Sequence, residues 1–386
     1  MILSSETCQV SVDPISYFRD FNTSRASTLG LIPGQPVLVH VAQQLPMMDN
    51  EVANPILGKL RPILLRGHER SLTQIKYNRE GDLLFSVSKD HVINAWFSHN
   101  GERLGTYDGH VGTVWTVDVN SSTTLLVSGS ADNTAKLWDV SNGKCLKSWE
   151  FNTAVRRVLF SEDDKKVLLV TEPRMGFPAT LQIFHVENGI TETVSSEPLA
   201  VFHPEGPKIT VAAWGPLDKY IVVGRENGSV ALMDPHTGKY ITTNKVHELT
   251  LTDLQMSTDR TYFITSSKDK SAKILETDSL EVLKTYTTDT PLNSAAIMPK
   301  NQEFVVVGGG QEAMDVTRTS SRQGKFECRF WHKILEEEVG RVRGHFGPIN
   351  TIAIHPDGRS FASGGEDGYV RVHHFDDDFF TFKFQI

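Results

Sequence analysis

The chain has 386 residues, of which 39% are apolar and 22% are charged, and its formal net charge is −8. This composition excludes wholesale disorder, and the acidic balance disfavours nucleic-acid binding through bulk charge. No stretch approaches the roughly 20 apolar residues that a membrane-spanning helix requires. Cys8, Cys145 and Cys328 are far apart and form no CxxC pair, which favours a reducing, cytoplasmic setting over a disulfide or zinc framework.

Residues 1–59 contain five prolines and no repeat. Glu6, Asp13 and Asp20 do not fit a secretory or mitochondrial targeting signal. We therefore expect a poorly structured N-terminal extension over residues 1–59, with at most a short strand at residues 35–41. The methionine pair at positions 47 and 48 would also permit an internal start of translation.

A repeat begins at the Gly-His pair of residues 67 and 68. The corresponding marked positions of the first two repeats differ by 42 residues each time; they are His68, Ser86, Asp90 and Trp96, then His110, Ser128, Asp132 and Trp138. A period in the low forties that starts with Gly-His and ends with Trp-Asp is typical of a β-propeller blade. Between the marked positions lie short apolar or β-branched runs separated by Asn, Asp and Gly, which predict strands joined by tight turns.

The later repeats are more degenerate but keep the same frame. His247, Thr265 and Asp269 fit a blade whose Trp position is Leu275, and the last repeat places His373 at that position. The remaining spacing leaves room for two blades with insertions, one in the third blade and one at residues 311–325 in the sixth. We therefore predict an all-β fold, a single seven-bladed WD-repeat β-propeller over residues 60–386 with an irregular N-terminal extension.

The marked residues have a structural explanation. Asp can bond His, His can bond a Ser hydroxyl, and that hydroxyl can bond the Trp indole, so that buried polar groups satisfy one another. We expect three such networks, whose members are His68, Ser86, Asp90 and Trp96; His110, Ser128, Asp132 and Trp138; and His345, Ser363 and Asp367. Each resembles a catalytic triad, but the repetition favours a role in building the fold.

The two ends of the chain are expected to meet. The last blade needs an outermost strand after Phe375, and only eleven residues follow it. The apolar segment at residues 61–65 precedes the first blade and resembles a strand. We predict that it supplies the missing strand and closes the ring, which removes an open sheet edge.

The sequence contains no motif that is typical of an enzyme or of a cofactor site. The glycines at 308–310 lack the Lys and the helix of a phosphate loop, so close backbone packing explains them better. His373 and His374 are adjacent on a predicted strand and would point to opposite faces, which disfavours a shared metal ion. The acidic run at residues 336–338 is interpreted as a solvated turn.

The fifth blade carries an acidic cluster at a position where the Trp is missing. Its members are Asp253, Asp259, Asp269, Glu276 and Asp278. Such a cluster could receive a basic helix that bears aromatic residues, or it could be a screened acidic rim without a partner.

Several runs are more distinctive than the general blade signature. They occupy residues 61–74, 77–85, 100–106, 308–313, 324–327, 337–342 and 344–351. Together they resemble the i subunit of eukaryotic translation initiation factor three, over about residues 60–384. The resemblance implies a non-catalytic scaffold that joins the b and g subunits and reaches the 40S ribosomal subunit indirectly, supporting mRNA recruitment, scanning and start-codon selection.

The resemblance also implies a docking position. In that family a C-terminal helix of the b subunit packs against the flank of the later blades, and the acids that meet it align with Asp259 and Glu276. No cofactor, membrane, sequence-specific nucleic acid or second copy of the chain is implied. The extension at residues 1–59 departs from the family pattern. A WD-repeat signalling scaffold of the kinase-receptor-associated type is the alternative, and an enzyme built on a propeller is a third, less supported class.

Overall fold

The computed structural model describes residues 61–186, 196–299, 303–311 and 326–381. These residues form seven four-stranded antiparallel sheets, and the predicted all-β seven-bladed propeller is confirmed. The predicted strand at residues 35–41 and the insertion at residues 312–325 lie outside the described residues. Within these ranges, no helix has the length and apolar character that crossing a bilayer requires.

The first four blades take their strands in chain order from the innermost to the outermost. Blade 1 contains β2 Leu72–Tyr77, β3 Leu83–Ser88, β4 Ile93–Phe97 and β5 Arg103–Tyr107. Blade 2 contains β6 Val114–Val119, β7 Leu125–Ser130, β8 Thr134–Asp139 and β9 Cys145–Glu150. Blade 3 contains β10 Val155–Phe160, β11 Lys166–Thr171, β12 Leu181–His185 and β13 Ala200–Phe202. Blade 4 contains β14 Ile209–Trp214, β15 Ile221–Arg225, β16 Ser229–Met233 and β17 Tyr240–Lys245.

The last three blades follow the same order, except that blade 7 borrows its outer strand. Blade 5 contains β18 Leu251–Met256, β19 Tyr262–Ser267, β20 Ser271–Glu276 and β21 Val282–Thr287. Blade 6 contains β22 Leu292–Ile297, β23 Phe304–Gly309, β24 Glu327–His332 and β25 Glu338–Arg343. Blade 7 contains β26 Ile349–Ile354, β27 Ser360–Gly365 and β28 Val370–His374, completed by β1 Ile63–Leu65.

The predicted closure strand is confirmed. β1 pairs antiparallel with β28, with Ile63 opposite Val372 and Leu65 opposite Val370. Leu65 is 2% exposed and packs between blades 7 and 1, where Gly101 has a φ of 73° and leaves the space that β1 occupies. The first and last strands of the described chain are thus joined within one sheet, and β1 covers the edge of β28. A short helix, α1 Asp377–Thr381, follows β28, and its Phe379 is buried against blade 6.

The innermost strands β2, β6, β10, β14, β18, β22 and β26 contact their neighbours around the ring, and β26 contacts β2. The core lies in layers between successive blades, each built from residues on the facing sides of two sheets. We call the end of the ring where the inner strands begin the upper end, and the other the lower end. Rigid blades therefore present turns at two ends and outer strands on the flank.

Candidate functional site

The first predicted network lies in blade 1 as a continuous chain of hydrogen bonds. His68 Nδ1 lies 2.9 Å from Asp90 Oδ2, and His68 Nε2 lies 2.8 Å from Ser86 Oγ. The Trp96 indole donates to the same Ser86 oxygen at 2.8 Å. Because a carboxylate only accepts, His68 donates through Nδ1 and accepts the Ser86 proton at Nε2. Asp90 also accepts from the Glu69 amide at 2.9 Å, which ties two loops of the upper end together.

The second network repeats this geometry in blade 2. His110 Nδ1 lies 2.9 Å from Asp132 Oδ2, His110 Nε2 lies 2.8 Å from Ser128 Oγ, and the Trp138 indole donates to Ser128 at 2.9 Å. Burial lowers the pKa of His110, so its imidazole remains neutral. Burial alone would raise the pKa of Asp132, but hydrogen bonds from His110, Thr134 and the Val111 amide hold it below its usual range. The result in blade 2 is a neutral histidine beside an ionised carboxylate.

The network of blade 7 differs where the tryptophan is missing. His345 Nε2 lies 2.8 Å from Ser363 Oγ and His345 Nδ1 lies 3.1 Å from Asp367 Oδ1. Arg371 donates to Asp367 Oδ2 at 2.8 Å. His373 occupies the Trp position and stacks on Phe361, with ring centroids 4.8 Å apart. A planar ring is retained at this position, while the indole donor is lost.

Blade 5 contains a fourth network that lacks the tryptophan. His247 Nδ1 lies 2.9 Å from Asp269 Oδ2, and His247 Nε2 lies 2.9 Å from Thr265 Oγ1. Leu275 fills the Trp position and is fully buried. Four similar sets at equivalent points of four blades hold the turns of the upper end in place, and their donors and acceptors are satisfied internally.

The glycines at 308–310 are packed against their neighbours. A Cβ on Gly309 would lie 2.1 Å from the Pro291 carbonyl oxygen, and a Cβ on Gly308 would lie 2.6 Å from Ile352 Cδ1. Gly310 has a φ of 140°, which side chains rarely adopt. These glycines allow β22 and β26 to approach β23 closely, so close packing accounts for the three consecutive glycines.

Asp259 and Glu276 lie on the lower end of blade 5. Asp259 is in the turn between β18 and β19, Glu276 ends β20, and both are exposed. The two turns are joined because Thr277 donates to the Arg260 carbonyl at 2.8 Å. The hydrogen bond from Ser257 lowers the pKa of Asp259, so this carboxylate is ionised at neutral pH.

Two further exposed acids border Glu276, namely Asp278 and Glu281 in the turn before β21. Among the described residues, no Lys or Arg pairs with any of these four carboxylates. The other two acids of the predicted cluster lie elsewhere, because Asp269 belongs to the upper-end network and Asp253, within the inner strand β18, accepts a hydrogen bond from Ser294 of blade 6. The cluster predicted from sequence is therefore divided among the lower end, the upper end and an inner strand.

The comparisons with known proteins agree on one family. The model of a protein family described as EIF3I matches residues 60–385. Eukaryotic translation initiation factor 3 subunit I of Schizosaccharomyces pombe is 59% identical over 329 residues, which cover 85% of this chain and 100% of that protein. The protein of the same name from Mycosarcoma maydis is 60% identical over 335 residues, covering 84% of this chain and 96% of its own length.

This chain belongs to the family of eukaryotic translation initiation factor 3 subunit I. The resemblance of the distinctive runs is thereby confirmed, and the signalling-scaffold alternative loses its support. The family model matches from residue 60 onward, and these relatives are matched over 96% or more of their own length.

The sequence did not predict that apolar side chains are exposed on the outer strand of blade 5. Val282 and Leu283 on the outer strand β21 are 36% and 50% exposed. Lys284 on the same strand pairs with Glu336 at 3.1 Å, and the Tyr286 hydroxyl donates to the Lys333 carbonyl at 2.7 Å. These contacts place the turn between β24 and β25, with its exposed Ile334 and Leu335, beside β21. The spacing of apolar residues in β21 resembles that of the other outer strands, so the sequence alone gave no signal for this exposure.

Proposed function

We propose that the chain is a non-catalytic scaffold subunit of eukaryotic translation initiation factor 3. In this proposal it holds the b and g subunits together in the cytoplasm and reaches the 40S ribosomal subunit through them. It thereby supports mRNA recruitment, scanning and start-codon selection. Family membership supports the role in the complex. The four hydrogen-bonded networks support a rigid scaffold, because their polar side chains stabilise the blades.

The observation that carries the docking part of the proposal is the composition of one flank, which we call the blade-5 edge. It consists of Asp259, Glu276, Asp278 and Glu281 together with the exposed Val282 and Leu283. Carboxylates that pair with no Lys or Arg of the described residues, beside exposed aliphatic side chains, complement a helix that carries basic and apolar faces. A C-terminal helix of the b subunit, bound through its basic residues, is the proposed occupant, with Asp259 and Glu276 as its acidic contacts.

The test is a charge reversal with a matched control on another blade. Asp259→Lys with Glu276→Lys should weaken binding of the b-subunit helix by about tenfold or more, because like charges would then face each other. Glu80→Lys with Glu102→Lys is the control. Glu80 occupies the position in blade 1 that Asp259 occupies in blade 5, and Glu102 is an exposed acid in the following turn. Both double variants change the net charge of the chain by the same amount.

Binding would be measured by isothermal titration calorimetry at two salt concentrations. The natural chain and the blade-1 control should bind with similar affinity, and that affinity should fall as salt rises. Equal affinity of the blade-5 variant and the natural chain would contradict the assignment of these two acids. Loss of binding in both double variants would point to long-range charge and would equally refute a local site. Co-purification of the g subunit with the same variants tests whether the two contacts are separate.

A further inference from the structure

Every inner strand contains a bulge at the same position. In each blade the pairing between the innermost strand and its neighbour skips the second residue of the inner strand. A bulge leaves that residue out of the regular ladder and redirects its side chain. The seven bulged residues are Thr73, Trp115, Arg156, Thr210, Thr252, Asn293 and Asn350. All of them line one cavity of about 350 Å³ at the upper mouth of the central channel.

In blades 5, 6, 7 and 1 the bulged residue ties its blade to the next one. Its side chain donates a hydrogen bond to the carbonyl of the first residue in the following inner strand. The bonds are Thr252 to Leu292 at 3.1 Å, Asn293 to Ile349 at 2.9 Å, Asn350 to Leu72 at 3.0 Å, and Thr73 to Val114 at 2.5 Å. In this half of the ring the position therefore serves the fold.

Blades 2, 3 and 4 break this pattern. The Trp115 indole N–H is buried and has no hydrogen-bond partner among the described residues. The Arg156 guanidinium lies 3.9 Å above the Trp115 ring, and Thr210 donates within its own blade to the Gly224 carbonyl at 3.3 Å. In these three blades the bulged residues make no hydrogen bond to the next inner strand among the described residues, and they place an aromatic ring and a cation at the mouth instead.

Four cations line the cavity. Arg156 Nε and Lys208 Nζ both contact Glu172 Oε2, at 2.9 and 2.8 Å, and Lys89 Nζ pairs with Glu366 Oε1 at 3.0 Å. Glu172 is thus shared by two of these cations, and Glu366 pairs with a third. A surplus of positive charge remains at the mouth of a chain whose net charge is −8.

Arg157 is the fourth cation and has no carboxylate within 4 Å among the described residues. It crosses the channel from blade 3, donating from Nε to the Thr210 carbonyl and from Nη2 to the Thr252 carbonyl, both at 3.3 Å. Burial lowers the pKa of Arg157, and the nearby Asp253 opposes that effect. A buried guanidinium held only by two long bonds to carbonyl groups is stabilised by an anion that brings charge-assisted bonds.

We propose that the upper mouth of the channel binds a compact anion that carries more than one phosphoryl group. Lys89 belongs to blade 1, Arg156 and Arg157 to blade 3, and Lys208 precedes blade 4, so the cations come from three parts of the ring. A diphosphate or a polyphosphorylated polyol offers several anionic groups to cations that are distributed in this way. A cavity of about 350 Å³ is at the small end of known ligand sites, which limits the ligand to a compact one. The site is independent of the subunit role proposed above.

The test is calorimetric titration of the full chain with orthophosphate, pyrophosphate and inositol hexakisphosphate in a phosphate-free buffer. We expect one site per chain and about tenfold or greater preference for pyrophosphate over orthophosphate. Arg157→Gln should weaken pyrophosphate binding by about tenfold or more, because a charged fork is lost. Lys270→Gln is the matched control, since Lys270 is exposed at the same end of the ring but lies outside the cavity.

Lys208→Gln provides a second variant should Arg157→Gln fail to fold. It removes a partly exposed cation and leaves Glu172 paired with Arg156. Absence of saturable binding at about millimolar pyrophosphate would overturn the proposal. So would an equal loss of affinity in Lys270→Gln, which would indicate diffuse attraction to the upper end. Equal affinity for orthophosphate and pyrophosphate would refute the requirement for more than one phosphoryl group.

Discussion

The closure strand β1 has only three residues, and its contribution to stability can be tested at a single side chain. Leu65 is 2% exposed and packs with Leu72, Trp96 and Val370 between blades 7 and 1. Leu64, its neighbour, is 37% exposed. Leu65→Ala removes three buried carbon atoms, which cost about 2.4 kcal/mol in transfer free energy at ~0.8 kcal/mol each. The cavity left behind adds to this, so we expect a loss of about 2–4 kcal/mol.

Thermal melts followed by circular dichroism measure the effect. A loss of this size in a domain of several hundred residues should lower Tm by about 3–6 °C. The matched control Leu64→Ala should lower Tm by no more than about 2 °C, since Leu64 is 37% exposed and loses less burial than Leu65. Deletion of residues 1–58 keeps β1 and should preserve the melt, whereas deletion of residues 1–66 removes it and should unfold the propeller. If Leu65→Ala and Leu64→Ala lower Tm by the same amount, burial of Leu65 in β1 does not hold the ring closed.

Three further substitutions test the interior. Ser128→Ala leaves a buried indole donor and an imidazole without their shared partner and should cost about 2–4 kcal/mol by denaturant titration, whereas the exposed Ser148→Ala should cost less than about 0.5. Gly309→Ala places a Cβ against a backbone carbonyl and should cost about 1–3 kcal/mol, while Gly105→Ala, which meets open space, should be neutral within about 0.5 in the same assay. Burial lowers the pKa of His373 to about 3, so the folded state keeps this ring neutral and its stabilising contribution is lost as pH falls below 6.5. His373→Phe should therefore recover about 2 kcal/mol of the stability lost between pH 7 and pH 5, and an unchanged pH profile would refute the assignment.

The features that repeat were predictable from the sequence. The Gly-His, Ser, Asp and Trp positions recur with a fixed shift, and their side chains meet as the periodicity requires. The closure strand was predictable because blade 7 was one strand short and an apolar segment preceded blade 1. In both cases the prediction depends on the spacing of residues or the number of strands along the chain, and both can be read from the sequence.

The features that depend on closure of the ring were not predictable. Arg156 and Arg157 lie in an ordinary alternating strand, and nothing in that pattern indicates a bulge or a channel. Only when seven strands surround an axis does a residue of blade 3 reach the carbonyls of blades 4 and 5. The acidic cluster of blade 5 illustrates the same limit, because Asp253 and Asp259 are close in sequence, yet Asp253 is hydrogen-bonded to blade 6 and Asp259 is exposed at the lower end.

The two proposed surfaces lie at opposite ends of the ring and carry opposite charge. Asp259 and Glu276 occupy turns of the lower end, whereas Arg157 and Lys208 lie where inner strands begin, at the upper end. The proposed basic helix would therefore bind away from the channel mouth, and the proposed anion would not compete with it. Because the two surfaces are separate, we expect each proposed ligand to bind while the other is bound, as the proposed scaffold role requires.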